Sequence, residues 1–162
     1  IVWEKIEDDI DAICSKNKED LKEMQKIDKT NREEFKKIFK TTGLITSEYG
    51  KDAQFAAFLI VQHMPRSEIS FMKRYRSLMK KNLEDIEPLN FAMLCDRVEI
   101  WQNKPQIYGT QFVSVENKDN TFKLKELKDP ELVDERRKEI GLEPLTDYIK
   151  KLSKERNVKL IF

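Results

Sequence analysis

The sequence is poor in residues that break helices and in residues that bind metals. Among 162 residues there are only 4 glycines and 5 prolines, which argues against a turn-rich β-sandwich or barrel. With one histidine and neither a CxxC nor an HExxH motif, a structural zinc site is not expected, and no cofactor is implied. Cys14 and Cys95 are too few for a disulfide framework, and their apolar neighbours predict two free, buried thiols.

The chain also has little net charge and no long apolar run. Its 31 basic and 30 acidic side chains leave a net charge of +1, which gives no general attraction to nucleic acids or membranes. No apolar stretch approaches the roughly 20 residues of a membrane-spanning helix. The sequence begins at Ile1 rather than Met, so we expect that an upstream segment, such as a signal peptide or lipid anchor, was removed. Localisation therefore stays open, with the cytoplasm as the default.

Apolar residues recur at spacings of three and four along most of the chain, which predicts amphipathic helices. We expect Thr30 or Asn31 to begin a helix that Gly43 ends, and Thr46 or Ser47 to begin the next one. Further helices are predicted over residues 2–28, 67–81, 87–103, 129–140 and 146–156, with Asp129 as the cap of the helix at 129–140.

Two stretches have the composition of strands instead. Residues 105–115 and 120–127 flank a polar turn and predict a β-hairpin, and the tail 158–162 is expected to add a strand or cover an apolar edge. The predicted fold class is α+β, predominantly α-helical with one small antiparallel β-hairpin. We expect a single domain over residues 1–162, with residues 1–42 as an N-terminal helical arm.

The helix before Pro65 has polar residues at the end of its apolar stripe. Phe58 and Leu59 lead at helical spacing to Gln62 and His63, which places both at the rim of a core. Histidine is the one side chain that ordinarily titrates near neutral pH, so His63 is a candidate general acid or base. A histidine that only bonds a backbone carbonyl is the structural alternative.

Asp96 and Arg97 interrupt the apolar pattern of the helix predicted at 87–103. They stand between Leu94 and Val98, so at least one of them must border the apolar face. A partly buried arginine needs a carboxylate, a backbone carbonyl or an anionic ligand. A salt bridge between helices is the alternative with no role beyond the fold.

The run Pro105–Gln111 is the most unusual stretch of the sequence. In a strand, Gln106, Tyr108 and Thr110 would share one face. Gly109 in mid-strand indicates a bulge or the close approach of another chain segment or ligand. A solvated strand face is the alternative.

Four motifs in this order resemble those of an uncharacterised bacterial family known as a domain of unknown function. They are LIVQH at 59–63, DRV at 96–98, PQxYGTQ at 105–111 and DPExVDERRxxxGLxPL at 129–145, followed by Tyr148. The resemblance covers about residues 43–152 and leaves the first 42 residues largely outside. Residues 64–67 and 69–71 depart from the family pattern, which implies a different specificity if those positions contact a ligand.

The resemblance implies one shared site, although it implies no reaction. Its residues are Gln62, His63, Asp96, Arg97, Gln106, Tyr108, Gly109, Thr110, Gln111 and Arg137. In the first hypothesis the protein is a metal-free enzyme, with His63 and Asp96 catalytic. Arg97 would then hold an anionic group, and Gln62, Gln106, Tyr108, Thr110, Gln111 and Arg137 would bind the ligand.

The second hypothesis is a non-catalytic module that binds a small polar or anionic ligand or a protein, with motifs that are mainly structural. Nucleic-acid binding through the basic side chains of residues 73–81 has only weak support, because such a charge run is usually a solvated face. The sequence does not indicate an oligomeric state.

Overall fold

A computed structural model describes residues 18–116 and 118–162 of the chain. The described residues fall into two compact units, one up to residue 65 and one from residue 66 onward. The single domain with an arm over residues 1–42 stays a prediction. The described helices are α1 (Lys18–Thr42), α2 (Lys51–Gln62), α3 (Ile69–Lys81), α4 (Pro88–Trp101), α5 (Val133–Glu139) and α6 (Leu145–Arg156); the strands are β1 (Phe112–Ser114), β2 (Thr121–Leu124) and β3 (Lys159–Ile161). A predominantly helical fold is thus confirmed.

Helix α1 of the first unit runs without a break through Thr30 and Asn31, so the predicted helix start there is wrong. The Thr30 hydroxyl donates to the Lys26 carbonyl at 3.1 Å, which satisfies the threonine inside a helix. The end of α1 is as predicted: Gly43 has φ +72° and its N–H donates to the Phe39 carbonyl at 3.0 Å.

Helix α2 packs against α1. It begins at Lys51 with Gly50 at the N-cap, because a short 3-10 turn occupies Ser47–Tyr49; the predicted caps at Thr46 and Ser47 are therefore wrong. Its buried residues are Ala57, Phe58, Val61 and Gln62.

In the second unit, α3 and α4 pack against each other. Pro88 occupies the first turn of α4, as predicted. An ion pair of 2.6 Å between Arg76 and Glu99 ties the two helices together at a partly buried position. The buried apolar residues of the pair include Met72, Tyr75, Met79, Phe91, Leu94 and Val98.

The sheet has three strands in the order β1-β2-β3. Strands β1 and β2 are antiparallel, with Phe112 opposite Leu124, so the predicted hairpin is present in a shorter form. The tail adds β3 parallel to β2, with Thr121 opposite Lys159. A parallel partner needs a long crossover, which α5 and α6 provide, and the sheet is therefore mixed rather than one antiparallel hairpin.

Helices α5 and α6 and the sheet contribute buried side chains to one apolar cluster. Its buried members are Leu124, Val133, Leu145, Tyr148 and Ile149. The predicted cap at Asp129 is wrong: this residue has φ +38° and makes no side-chain cap bond, and a 3-10 turn at Pro130–Leu132 precedes α5. The Asp134 carboxylate instead accepts the Leu145 N–H at 2.8 Å, which fixes the start of α6 against α5.

Candidate functional site

Residues 105–111 form an irregular loop, not the predicted strand, and we call them the 105–111 loop. Within it Gln106 makes only an isolated bridge to Leu127, and the regular strand starts at Phe112. The close approach predicted at Gly109 is made by Leu145: Gly109 has φ +79°, and a Cβ there would lie 2.6 Å from the Leu145 Cδ1. The alternating strand faces expected for this run are therefore wrong.

The Asp96 carboxylate is completely buried and holds the loop by its backbone. Its Oδ1 accepts the N–H groups of Ile107 at 2.7 Å and Tyr108 at 2.8 Å, and its Oδ2 accepts the N–H and the hydroxyl of Thr110, both at 2.8 Å. These bonds occupy the roughly four lone-pair positions of a carboxylate, leaving no free acceptor for an imidazole such as that of His63. Burial raises the pKa of the Asp96 carboxyl, and the bonds from the loop oppose that rise.

Gln106, which is also fully buried, closes the loop on itself. Its side-chain amide donates to the carbonyls of Gln111 at 3.0 Å and Lys125 at 2.8 Å, and it accepts the Gln111 N–H at 2.9 Å. Its backbone N–H donates to the Glu126 carbonyl at 2.9 Å, and its carbonyl accepts the Lys128 N–H at 2.9 Å. Gln106 therefore joins the loop to the segment that follows β2.

Arg137 of α5 bonds the loop from another direction. Its Nε donates to the Glu143 carbonyl and its Nη1 to the Tyr108 carbonyl, both at 2.7 Å. The guanidinium lies 4.8 Å from the centre of the Tyr148 ring, and burial lowers the pKa of Arg137. Its Nη2 is buried without a hydrogen-bond partner among the described residues.

Arg136 is a site residue that we did not predict from the sequence. Its guanidinium donates to the Ile107 carbonyl at 3.0 Å, to the Asp129 carbonyl at 3.3 Å and to the Lys128 carbonyl. The signal for it was present, because Arg136 stands in the DERR stretch of the last motif. Its role could not be read from side-chain types alone, since all three acceptors are backbone carbonyls.

Arg97, Tyr108 and Gln111 are partly exposed. Arg97 lies 5.8 Å from the Trp101 ring, its Nε is buried without a hydrogen-bond partner among the described residues, and burial lowers its pKa. The Tyr108 ring packs on Phe91 at 6.1 Å, and burial raises the pKa of its hydroxyl to about 12, so the hydroxyl keeps its proton near neutral pH.

Six of the predicted site residues thus form one hydrogen-bonded network: Asp96, Gln106, Tyr108, Thr110, Gln111 and Arg137. Gln62 and His63 belong to the other compact unit, and their meeting with this network stays a prediction. Gln62 is 2% exposed, and its amide has no partner among residues 18–116 and 118–162. His63 is exposed at the end of α2, where its N–H donates to the Leu59 carbonyl at 3.0 Å.

Three sequence predictions concern a metal site, a membrane-spanning helix and the two cysteines. In the described part of the chain, no three His, Cys, Asp or Glu side chains are grouped so as to hold a metal ion. No helix there combines the length and apolarity needed to cross a bilayer. Cys95 is a free, buried thiol as predicted, and Cys14 lies outside the described residues.

A comparison against known families confirms the resemblance to a family of unknown function. A family model described as a family of unknown function, DUF6624, matches residues 6–160. The chain belongs to the DUF6624 family. Because the match starts at residue 6, the expectation that the first 42 residues lie largely outside the family is wrong. No curated protein and no solved structure matches this DUF6624 chain.

Proposed function

We propose that this DUF6624 protein binds a small polar or anionic ligand on a surface formed by the 105–111 loop and Arg97. The observation that carries the proposal is the use of four charged or polar side chains to fix one irregular loop. Asp96, Gln106, Arg136 and Arg137 all bond to backbone groups of the loop or of the chain beside it. Binding residues are commonly placed on loops that a rigid scaffold positions in this way.

Arg97 supplies the positive charge that would attract an anionic ligand. It directly follows Asp96, which is bonded to the loop, and it points about 100° around the helix from it. Among the described residues it has a ring contact with Trp101 and no carboxylate partner. A partly desolvated guanidinium without a counter-charge suits an incoming carboxylate or phosphate, which it can bond through two parallel N–H groups.

The predicted site residues then divide into two groups with different tasks. We assign ligand contact to Arg97, Tyr108 and Gln111, which are partly exposed. We assign loop positioning to Asp96, Gln106, Thr110 and Arg137, which are buried. Catalysis by His63 stays a prediction, and an orienting carboxylate for it would have to come from a residue other than Asp96.

The test is chemical-shift mapping of the ¹⁵N-labelled protein with phosphate, acetate and citrate at constant ionic strength. We expect saturable shifts at residue 97 and at residues 107–111 with at least one of these anions. Replacing Arg97 with Gln should remove them, whereas Arg66→Gln, an equal change of charge at an exposed position, should preserve them. Shifts that never saturate, or that both variants lose equally, would contradict the proposal.

A further inference from the structure

A shallow depression of about 590 Å³, largely open to solvent, lies between the C-terminal end of α6 and the start of β3. A compact ligand would fit there, with part of its surface left in contact with water. We call it the C-terminal groove, and its lining residues are Lys150, Ser153, Lys154, Asn157, Val158 and Lys159. None of them belongs to the 105–111 loop or to the site proposed above.

Positive charge is concentrated around this groove. Residues 145–162 carry five basic side chains and two acidic ones, a net charge of +3, while the whole chain has a net charge of only +1. The remaining residues 1–144 therefore have a net charge of −2. Lys150 and Lys154 are four residues apart and share one side of α6.

Among the described residues, the lysines of the groove have no strong acidic partner. Lys150 lies 3.6 Å from Asp147, but both side chains are well exposed, at 79% and 58%, and such a pair contributes little. The C-terminal end of α6 carries about half a negative charge from its backbone dipoles. Three ammonium groups outweigh that half charge, so the groove attracts anions.

The backbone under the groove is fixed. Asn157 takes a left-handed conformation with φ +50°, the Val158 N–H donates to the Ser153 carbonyl at 3.1 Å, and the Lys159 N–H donates to the Asn120 carbonyl at 2.8 Å. The Ser153 hydroxyl donates to the Val158 carbonyl. The backbone at Lys154 and Lys159 is therefore held in place before any ligand arrives, which lowers the entropic cost of binding.

We propose that the C-terminal groove binds a compact ligand with clustered phosphate groups. Lysine ammonium groups bind phosphate as point charges, and the exposed Asn157 amide adds a neutral donor. The shared chemistry is a run of phosphates, which either a soluble polyphosphate ester or a phosphorylated lipid headgroup supplies.

The experiment is a titration of the ¹⁵N-labelled full chain with sodium tripolyphosphate at constant ionic strength, followed by NMR. We expect saturable shifts at residues 150–159 and a Kd that rises at least about tenfold in a variant with Lys150, Lys154 and Lys159 replaced by Gln. The matched control replaces Lys73, Lys80 and Lys81 of α3 with Gln, which removes the same charge elsewhere and should leave the Kd within about twofold.

A second arm uses vesicles that contain phosphatidylinositol bisphosphate, with sedimentation as the readout. Saturation by free tripolyphosphate assigns the phosphates to a soluble ligand, and saturation by these vesicles alone assigns them to a lipid; either result supports the groove. Equal loss of binding in the groove and control variants would overturn the proposal, as would a lack of saturable binding both to tripolyphosphate and to the vesicles. Circular dichroism of each variant shows that any loss occurs in a folded protein.

Discussion

Asp96 and Arg137 hold Tyr108 from its two ends. The Tyr108 N–H donates to the Asp96 Oδ1 at 2.8 Å, and the Tyr108 carbonyl accepts from the Arg137 Nη1 at 2.7 Å. Both charged side chains are 0% exposed. The position of the 105–111 loop therefore depends on both side chains.

Replacing Asp96 with Asn should destabilise the protein by about 2–5 kcal/mol. The amide NH₂ of asparagine would face donors that now share the carboxylate, leaving at least one buried N–H without an acceptor. Urea unfolding followed by circular dichroism measures the loss. Asp147→Asn, at an exposed position of α6, is the control and should cost less than about 1 kcal/mol. Equal effects of the two substitutions would show that the loop bonds contribute little.

A comparison of Gly109 with Gly141 tests the close contact between Gly109 and Leu145. Their φ angles are +79° and +81°, but only at Gly109 would a Cβ meet another atom, the Leu145 Cδ1 at 2.6 Å. Gly141→Ala should cost about 1–2 kcal/mol from the left-handed backbone alone. Gly109→Ala should cost a further 1–3 kcal/mol, roughly, from overpacking. Thermal unfolding of both variants checks this, and equal losses would mean that Leu145 moves aside freely.

Because Asp96 and Arg137 both bond to Tyr108, substitutions of the two residues should have non-additive effects on the free energy of unfolding. Asp96→Asn and Arg137→Lys each release one end of the same residue, so the double variant should lose less than the sum of the two, by about 0.5–3 kcal/mol. Urea unfolding of the four proteins of the cycle gives this coupling. A cycle between Asp96→Asn and Arg156→Gln, an exposed residue of α6, should be additive. Additivity in both cycles would show that Asp96 and Arg137 do not hold Tyr108 jointly.

Alkaline pH should destabilise the fold partly through Cys95. Burial raises the pKa of this thiol from 9.0 to about 12. Between those values the unfolded chain loses its proton while the folded chain keeps it, so the free energy of unfolding falls as the pH rises. The buried hydroxyl of Tyr108, whose pKa is raised to about 12, acts in the same direction.

Urea unfolding of the protein and of Cys95→Ala from pH 7 to pH 10.5 isolates the thiol. The variant should be less stable at pH 7, because a buried side chain is shortened, but its stability should fall less steeply above pH 9. Parallel curves for the two proteins would show that the Cys95 thiol does not titrate differently in the folded state.

Several helix ends were predictable because local chemistry decides them. Gly43 takes the left-handed conformation that ends α1, and Pro88 occupies the first turn of α4, where its missing N–H costs nothing. Thr30 was misleading because its hydroxyl has two local choices, capping a new helix or bonding the carbonyl four residues back. The structure takes the second, with Lys26 as acceptor.

Six residues of the candidate site could be grouped from the sequence, but their geometry could not be predicted. A run of alternating polar residues is typical of a strand, yet Gln106 folds its amide back onto the backbone of Gln111 and Lys125. Asp96 likewise bonds mostly to backbone N–H groups. Backbone partners carry no residue-type signal, so side-chain patterns could place these residues near one another without showing what they bond.

Amide hydrogen exchange tests most directly whether the 105–111 loop is rigid. The N–H groups of Ile107, Tyr108 and Thr110 point at a buried carboxylate, so they should exchange only through large-scale unfolding, as slowly as the amides of α4. The amides of the exposed residues Asp119 and Asn120 serve as the fast reference. Exchange of the three loop amides at that fast rate would contradict a loop held in place for binding.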